Sequence, residues 1–327
     1  MTKGDTMAKQ FQWGLLSTAK INNAILAAMP NSPYGEMLAV GSRDQAKAQA
    51  YAAEKNIPRA YGSYEALLAD PDVDIIYIGL PNGLHAEWTI KALQAGKHVL
   101  CEKPFALTLA EVDAMHAAAQ AAQRVLVEAF MYRHHPKVRQ AKALAESGAI
   151  GTLRYLRSSF SFTLPRDYNV RWDPALGGGA LWDVGCYPLS IARYFFGAPE
   201  RVEGWQVLAP SGVDETMVGT LYFPDQRIAH IDGSFRMPFR SVAEIVGDAG
   251  RLVLTHPFHS DNPEAQLLLY QGDKPEVVET PAAERYLLEI DDLHEAIINQ
   301  RPPLITAAET RGHIETILAL YASARAR

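Results

Sequence analysis

Residues 11–128 alternate short β-branched runs with longer alanine-rich stretches, and this alternation restricts the fold more than any other feature of the sequence. It is typical of βαβ units, which build a parallel sheet covered by helices. The apolar runs are nearly continuous, as expected for strands buried on both faces. Thr108 and Glu111 form a capping-box pattern that predicts the start of one helix. The predicted strands span residues 11–17, 37–42, 75–79, 98–102 and 124–128.

The pattern changes after Pro136. One amphipathic helix to about Ser147 precedes mostly extended, alternating segments joined by hairpin-type turns, which predicts a largely antiparallel sheet. A glycine-rich entry at 177–179 leads into an apolar run, 180–196, that predicts a helix, and two more helices are predicted at 286–299 and 307–326. The predicted strands span residues 153–162, 202–207, 216–222, 227–235, 242–246 and 266–270.

The sequence thus predicts an α/β chain with two domains. Its 327 residues exceed what one hydrophobic core usually supports, since such cores stop growing at about 250–300 residues. We expect a Rossmann dinucleotide-binding domain at residues 1–130 and a second α/β domain at 131–327 that binds substrate. The last helix, residues 307–326, is expected to pack back on the first domain.

Composition narrows the class of partner. The formal net charge is −6, so no basic field indicates nucleic acid or an anionic membrane, and a small molecule is the expected partner. The start of the chain is short and polar, no segment approaches a membrane span, and only two cysteines occur, so we expect a cytoplasmic protein. Cys101 and Cys186 show no metal-ligand spacing, and no metal is expected.

The end of the first predicted strand is the expected phosphate-binding turn of a dinucleotide fold. The usual glycines are missing, so an ordinary strand-helix turn is the alternative, although small residues still permit close approach of a pyrophosphate. The cofactor-binding residues expected here are Ser17, Thr18, Ala19, Lys20 and Ile21.

The end of the second predicted strand indicates NADP. Ser42 and Arg43 stand where an acidic residue would bind the ribose 2′-hydroxyl of NAD, and a guanidinium pairs well with a 2′-phosphate. Asp44 leaves an alternative open, because its carboxylate facing the ribose would weaken or reverse that preference.

Lys103 follows the fourth predicted strand in the sequence Glu102-Lys103-Pro104, and strand ends of this kind line the ligand crevice of open α/β sheets. With Pro81, Asn82 and His85 after the third strand, this motif resembles the Gfo/Idh/MocA family of oxidoreductases. The resemblance covers nearly the entire chain, including EAFMYRHHP at 128–136 and GGGALWDVGCYPLSIARYFFG at 177–197.

Within that family the chain resembles the branch that has a tyrosine, here Tyr187, where many members have histidine. This branch contains dimeric dihydrodiol dehydrogenases, NADP-dependent xylose or glucose dehydrogenases and aldose-aldose oxidoreductases. The resemblance implies an open second sheet that is often used for dimerisation, so a homodimer or higher oligomer is expected. It implies Lys103, Tyr187 and Asp183 as catalytic residues. Further cofactor contacts are expected from Leu80, Pro81, Asn82, His85, Glu102, Lys103, Arg171 and Trp172.

The chemistry leaves two assignments open. Oxidising an alcohol removes its hydroxyl proton while nicotinamide accepts hydride from the same carbon. Either Tyr187 is the base, with the Lys103 cation favouring tyrosinate, or Lys103 moves the proton and Tyr187 orients the substrate. Asp183, four residues before Tyr187, would share its helix face and bind a sugar hydroxyl or Lys103, and Pro188 predicts a kink nearby.

The expected function is therefore NADP-dependent hydride transfer to or from an aldose or related polyhydroxy compound. One variant keeps NADP bound while one sugar is oxidised and another reduced. The alternatives are a trans-dihydrodiol or dicarbonyl oxidoreductase, and a non-catalytic protein that senses NADP or sugar.

Overall fold

A computed structural model describes residues 10–326, in two sheets with helices packed around them. The polar start of the chain, residues 1–9, lies outside the described residues. Within residues 10–326 no helix is both long and apolar enough to cross a membrane.

The first sheet has six parallel strands in the order β3-β2-β1-β4-β5-β6. The Rossmann prediction is confirmed, because the strand order reverses between β1 and β4, as in a doubly wound dinucleotide fold. Its strands are β1 (Phe11–Leu16), β2 (Gly35–Gly41), β3 (Arg59–Tyr61), β4 (Ile75–Ile78), β5 (His98–Glu102) and β6 (Leu126–Ala129).

Helices connect these strands. The capping box at Thr108 and Glu111 is present: the Thr108 hydroxyl accepts from the Glu111 amide, and the Glu111 carboxylate accepts from the Thr108 amide. The helices are α1 (Asn22–Ala28), α2 (Gln45–Lys55), α3 (Tyr64–Leu68), α4 (His85–Gln94) and α5 (Leu109–Ala122).

The second sheet has eight strands, β14-β13-β12-β11-β7-β10-β9-β8, and only its β7–β10 pair is parallel. The predicted antiparallel character is confirmed. Its strands are β7 (Leu153–Ser161), β8 (Arg201–Leu208), β9 (Asp214–Tyr222), β10 (Ile228–Ser234), β11 (Arg240–Gly247), β12 (Arg251–Thr255), β13 (Leu267–Tyr270) and β14 (Pro275–Val277).

Helices pack on one face of this sheet. They are α6 (Pro136–Glu146), α7 (Cys186–Phe196) and α9 (Ala307–Arg325), whereas α8 (Arg285–Ile298) packs on α1 of the first half of the chain. The other face carries exposed side chains such as Trp205 and Val218, which are opposite each other on β8 and β9. Helix α9 lies against both β8 and α5, where Arg311 pairs with Asp113.

Three strands were missed by the sequence patterns: Arg59–Tyr61, Arg251–Thr255 and Pro275–Val277. Two of them have three residues each, which is too few to show an alternation of apolar and polar residues. The third, Arg251–Thr255, has the alternation, with Leu252 and Leu254 buried, but it is short and follows a tight turn after β11.

Candidate active site

A cleft of about 600 Å³ opens where the carboxyl ends of β1, β4 and β5 face the second sheet. This is the point at which the strand order reverses, and open α/β sheets bind their ligands there. Its first wall comes from the loops after these strands: Ala19, Lys20, Ile21, Gly79, Leu80, Pro81, Asn82, Glu102 and Lys103.

Lys103 occupies this wall because its loop is fixed from behind by His85. The His85 ring is completely buried, and its two nitrogens lie 2.9 Å from the Pro104 carbonyl oxygen and 2.8 Å from that of Leu80. Both nitrogens face backbone carbonyl groups, and His85 lies outside the lining of the cleft. His85 thus joins the loops that carry Leu80 and Lys103, and its expected contact with a cofactor stays a prediction.

The Lys103 ammonium meets Asp183 across the cleft. Its Nζ donates to the Asp183 backbone carbonyl at 2.7 Å and lies 3.2 Å from the carboxylate Oδ1. Arg171 Nε donates to the other carboxylate oxygen at 2.5 Å. Arg171, expected to contact the cofactor, is thus held by Asp183 at the rim of the same cleft.

These contacts fix the charges at the site. Burial alone would raise the pKa of Asp183, but Lys103 and Arg171 outweigh it and hold the pKa at about 2. Burial would lower the pKa of Lys103, yet the Asp183 carboxylate raises it above its ordinary value. At neutral pH the site therefore holds a carboxylate between two cations.

Tyr187 lies beside this group with its ring facing the amine. Lys103 Nζ is 4.9 Å from the ring centroid, within range of a cation–π contact. The Tyr187 hydroxyl donates to Met131 Sδ at 3.8 Å. The structure thus brings together the three residues proposed to be catalytic.

The expectation that the Lys103 cation favours tyrosinate is wrong for this arrangement. Burial raises the pKa of Tyr187 well above its ordinary value, and Tyr286 and Glu102 raise it further. The physical reason is geometric, because the ammonium faces the ring and its hydrogen bonds are made to Asp183. Tyr187 is a neutral phenol here.

A π-helical turn, Leu181–Gly185, orients these side chains before α7 begins. It confirms the predicted distortion near Pro188 and lets Asp183 and Tyr187 both line the cleft. The turn is anchored by Asp214, which accepts from the Leu181 amide at 2.7 Å and from the Tyr321 hydroxyl at 2.6 Å. Just before it, Gly179 has φ +131°, and an added Cβ would lie 2.2 Å from Asp214 Oδ1.

The two halves of the chain also meet at the glycine-rich segment. Asn82 Nδ2 donates to the Gly177 carbonyl at 2.8 Å, which joins the loop after β4 to the second half of the chain. A Cβ on Gly178 would lie 2.6 Å from the Arg171 carbonyl oxygen, so the chain can pass here only without a side chain. At this close approach, the second half of the chain lies against the strand ends of the first sheet.

The turn after β1 fits a dinucleotide. Ser17 has φ 137° and its hydroxyl donates to the Gly79 carbonyl at 3.2 Å, so β1 and β4 end side by side. No side chain caps the first turn of α1, and Ala19, Lys20 and Ile21 line the cleft, which leaves the loop open to a phosphate group.

Six predicted cofactor residues lie outside the lining of the cleft: Ser17, Thr18, Ser42, Arg43, His85 and Trp172. Ser42 is buried and Arg43 is exposed at the end of β2. Trp172 donates from Nε1 to the Pro165 carbonyl at 2.8 Å and packs on Phe235, so it supports the Arg171 loop from outside.

Glu102 lines the cleft with a partly buried carboxyl group. Burial raises its pKa above the ordinary value, and the Tyr77 hydroxyl donates to it at 2.6 Å. Its second oxygen accepts from the Lys103 amide at 3.2 Å. Glu102 therefore fixes the backbone of the lysine loop.

Several lining residues carry no sequence motif and were missed: Phe258, His259, Arg285 and Tyr286, together with Asn169 and Val170. Met131 lies in the 128–136 segment noted above, but nothing local marked it as a site residue. The others come from the start of α8, the short helix Pro257–His259 and the segment before Trp172, so only the tertiary structure assembles them.

The cysteines lie next to the site without taking part in it. Cys101 and Cys186 are buried and free, and burial raises the pKa of the Cys186 thiol to about 12. Among residues 10–326, no group of three His, Cys, Asp or Glu side chains has a metal-binding arrangement.

Two family models match the chain. One, described as an oxidoreductase family with an NAD-binding Rossmann fold, matches residues 12–130, and the other, a GFO/IDH/MocA C-terminal domain, matches residues 138–253.

Curated relatives and solved structures agree with these models. A D-xylose 1-dehydrogenase (NADP(+)) of Haloferax volcanii is 39% identical over 316 residues, covering 95% of this chain and 97% of the relative. A trans-1,2-dihydrobenzene-1,2-diol dehydrogenase of Xenopus tropicalis is 36% identical over 246 residues, 73% of each chain. The aldose-aldose oxidoreductase of Caulobacter crescentus, solved with glycerol, superposes with a TM-score of 0.90 at 27% identity, covering 97% of this chain and 98% of that one. The chain belongs to the Gfo/Idh/MocA family of oxidoreductases.

Proposed function

We propose that this chain is an NADP-dependent oxidoreductase that acts on a hydroxyl-bearing carbon of an aldose or related polyol. The observation that carries the proposal is the meeting of the Lys103 amine, bonded to Asp183, with Tyr187 in a cleft at the strand ends. The 39% identity with the Haloferax NADP-dependent xylose dehydrogenase supports the cofactor and the substrate class.

We propose that residues 1–130 bind NADP and that residues 131–327 bind the substrate. Arg43 is exposed at the end of β2 and can pair with a 2′-phosphate. Asp44 caps α2 by accepting from the Lys47 amide at 2.8 Å. That bond directs one oxygen of the Asp44 carboxylate to the start of α2, and we propose that Arg43 rather than Asp44 meets the ribose, so that the end of β2 suits NADP.

The side chains at the site would hold the reacting oxygen. NADP, when bound, supplies the hydride acceptor or donor. Two of the three Lys103 N–H groups face Asp183, which leaves one for a substrate oxygen beside the Tyr187 ring. Asp183 keeps Lys103 charged, and Arg171 keeps Asp183 in place. Oxidation of an aldose at its first carbon would yield a lactone.

The test is turnover of the wild-type protein with NADP and a panel of aldoses, trans-dihydrodiols and dicarbonyls, followed by the absorbance of reduced nicotinamide. We expect turnover with at least one aldose. Failure with every sugar would remove this substrate class, and NADP binding without turnover of any compound would indicate the non-catalytic alternative.

A variant of the proposal keeps NADP bound between cycles, and similarity to the Caulobacter aldose-aldose oxidoreductase supports it. Denaturing the purified protein would then release NADP in amounts close to one per chain. A cofactor lost on simple dialysis would contradict the variant and leave the dehydrogenase proposal standing.

A second candidate substrate is a trans-dihydrodiol. The observation in its favour is the aromatic wall of the cleft, in which Phe160 packs edge-on against Tyr187 at 5.4 Å and stacks on Phe258 at 5.3 Å. Such rings suit a flat apolar substrate, and they equally suit the C–H face of a sugar. The relative efficiencies in the same panel decide between the two.

We further propose a cytoplasmic homodimer that forms through the exposed face of the second sheet. Trp205 and Val218 are 59% and 43% exposed on neighbouring strands, which is costly for an isolated apolar surface. Light scattering should give twice the mass of the chain, and Trp205→Glu should shift it toward the monomer. A monomeric wild-type protein would contradict this assignment.

A further inference from the structure

The far end of the cleft, beyond Tyr187 and Phe160, has no part in the lysine, aspartate and tyrosine motifs. His259 lies there, at the end of the short helix Pro257–His259 that follows β12. Its ring meets Phe160 edge-on at 5.5 Å, and Phe160 in turn meets Tyr187 at 5.4 Å. One aromatic ring therefore separates His259 from Tyr187, which is a spacing that a pentose or hexose can span.

His259 has a ring nitrogen to offer. Its Nδ1 is buried without a partner, while Nε2 has no hydrogen-bond partner among the described residues, and the ring lines the cleft. Burial, together with smaller effects of Arg285 and His256, lowers the pKa of His259 to about 4. The imidazole is therefore neutral at physiological pH, with one donor and one acceptor, and it matches a hydroxyl group, which also donates and accepts.

Arg285 is the cation nearest to this end of the cleft, and its charge is already paired. Its guanidinium forms an ion pair with Asp261 through Nη1, its buried Nε has no hydrogen-bond partner, and its side chain is only 12% exposed. The same guanidinium lies 5.0 Å from the Tyr286 ring centroid. Neither His259 nor Arg285 thus presents an unpaired charge that would compensate a phosphate or a carboxylate, and burying such a group without compensation is costly.

We infer that His259 binds a substrate hydroxyl group remote from the reacting carbon, and that this end of the cleft selects uncharged polyols over phosphorylated or carboxylated sugars. This inference rests on the proposed function and adds a specificity-determining residue to it. His259 does not act on the reacting bond, so its loss should change which sugars are used more than it changes the chemical step.

The experiment compares wild-type protein with His259→Phe, which keeps a ring and removes both nitrogens. For each, kcat/KM is measured with the preferred aldose of the panel and with its singly deoxygenated analogues. In the wild type, one analogue should lose about three- to tenfold in kcat/KM, the worth of one hydrogen bond between neutral groups. In His259→Phe the kcat/KM of the parent sugar should fall by that same factor, mainly through a higher KM. The kcat/KM of the deoxygenated analogue should be the same in His259→Phe as in the wild type.

Two variants keep the test specific. His259→Gln places an amide nitrogen near the position of Nε2 and should restore part of the hydroxyl preference. His256→Asn changes the other histidine of the loop, which stacks on Phe239 and has φ 50°, a value that asparagine tolerates. It should retain the wild-type pattern.

Binding separates failure of the inference from failure of the proposed function. The affinity of the NADP-loaded protein for D-xylose and for xylitol is measured by calorimetry with the same variants. Weaker binding in His259→Phe without turnover by any variant would remove the proposed function and keep the inference. Two results would overturn the inference alone. One is a deoxygenated analogue that loses as much kcat/KM in His259→Phe as it does in the wild type. The other is a wild-type protein that uses an aldose phosphate as efficiently as the parent sugar. If the wild type neither binds nor turns over any polyol, both are overturned.

Discussion

Lys103 and Asp183 are joined twice, through the backbone carbonyl of Asp183 at 2.7 Å and through its carboxylate at 3.2 Å. The two residues are 80 positions apart, and the contact links the loop after β5 to the π-helical turn before α7. Because both groups are largely buried, each stabilises the charged form of the other. The amine is thereby held in place beside the Tyr187 ring.

Replacing Asp183 should alter the titration of Lys103. In Asp183→Asn the amine loses its counter-charge while Arg171 remains close, so the pKa of Lys103 should fall and the alkaline rise of the oxidation rate should move to lower pH. We expect kcat/KM to fall about ten- to hundredfold, the range for a hydrogen bond to a charged group. Steady-state kinetics against pH would measure both effects. Asp173→Asn, which alters a carboxylate of the neighbouring loop outside the cleft, should leave the profile unchanged, and an unshifted profile in Asp183→Asn would contradict the pairing.

The pH dependence should differ between the two directions of reaction. The pKa values of Lys103 and Tyr187 are both raised, so both groups hold their protons at neutral pH. Oxidation needs the deprotonated form of one of them to accept the hydroxyl proton, so its kcat/KM should rise about tenfold per pH unit on the acid side of that group's pKa. Reduction uses the protonated forms and should stay constant through neutral pH, falling only in alkaline solution. The Asp183 carboxylate, with a pKa of about 2, adds no titration to this range. Oxidation that is independent of pH in neutral solution would contradict this assignment.

Cofactor choice should depend on Arg43. In Arg43→Ala the affinity for NADP should fall about ten- to hundredfold, because a charge-assisted contact to the 2′-phosphate is lost, while the affinity for NAD stays the same. Fluorescence titration with the two reduced cofactors measures the ratio. Lys47→Ala removes another exposed cation from the same region and should not change it. An equal loss of affinity for NADP and for NAD would mean that Arg43 contacts a part of the nucleotide other than the 2′-phosphate.

Gly179 should tolerate no side chain. An alanine Cβ would lie 2.2 Å from Asp214 Oδ1 and 3.0 Å from the Tyr321 hydroxyl oxygen, at a φ of +131°. Gly179→Ala must therefore displace the carboxylate that caps the π-helical turn, and the free energy of unfolding should fall by about 2 kcal/mol or more. Denaturant unfolding measures the loss. Gly272→Ala, where no heavy atom lies within 4 Å of the added Cβ, is the control and should change little.

Much of the fold follows from local patterns. The buried strands β1, β4 and β5 are continuous apolar runs, and their connections by helices leave few topologies other than a doubly wound sheet. The second sheet was predicted from alternation. Its three-residue edge strand β14 was not, because its residues are exposed and carry no pattern.

The site was predictable only in part. Lys103 stands at a strand end, and it was the resemblance to the family that suggested Asp183 and Tyr187, which belong to one segment. The charge state of Tyr187 depends chiefly on its burial, which raises its pKa and which only the tertiary structure sets. His259 ends the short helix after β12 and Arg285 begins α8, and no pattern in either segment indicates that they share a cleft.

The most direct test of the central claim is the transfer of deuterium from an aldose labelled at its first carbon to NADP, followed by mass spectrometry of the cofactor. The wild-type protein should produce deuterated NADPH, whereas Lys103→Met and Tyr187→Phe should do so at least about a hundredfold more slowly with their folds intact. Tyr132→Phe, which alters a buried tyrosine 5.8 Å from Tyr187 whose hydroxyl bonds to Ser190, is the control and should keep the wild-type rate. Turnover without label in NADPH, or near-normal label transfer in both site variants, would contradict the account.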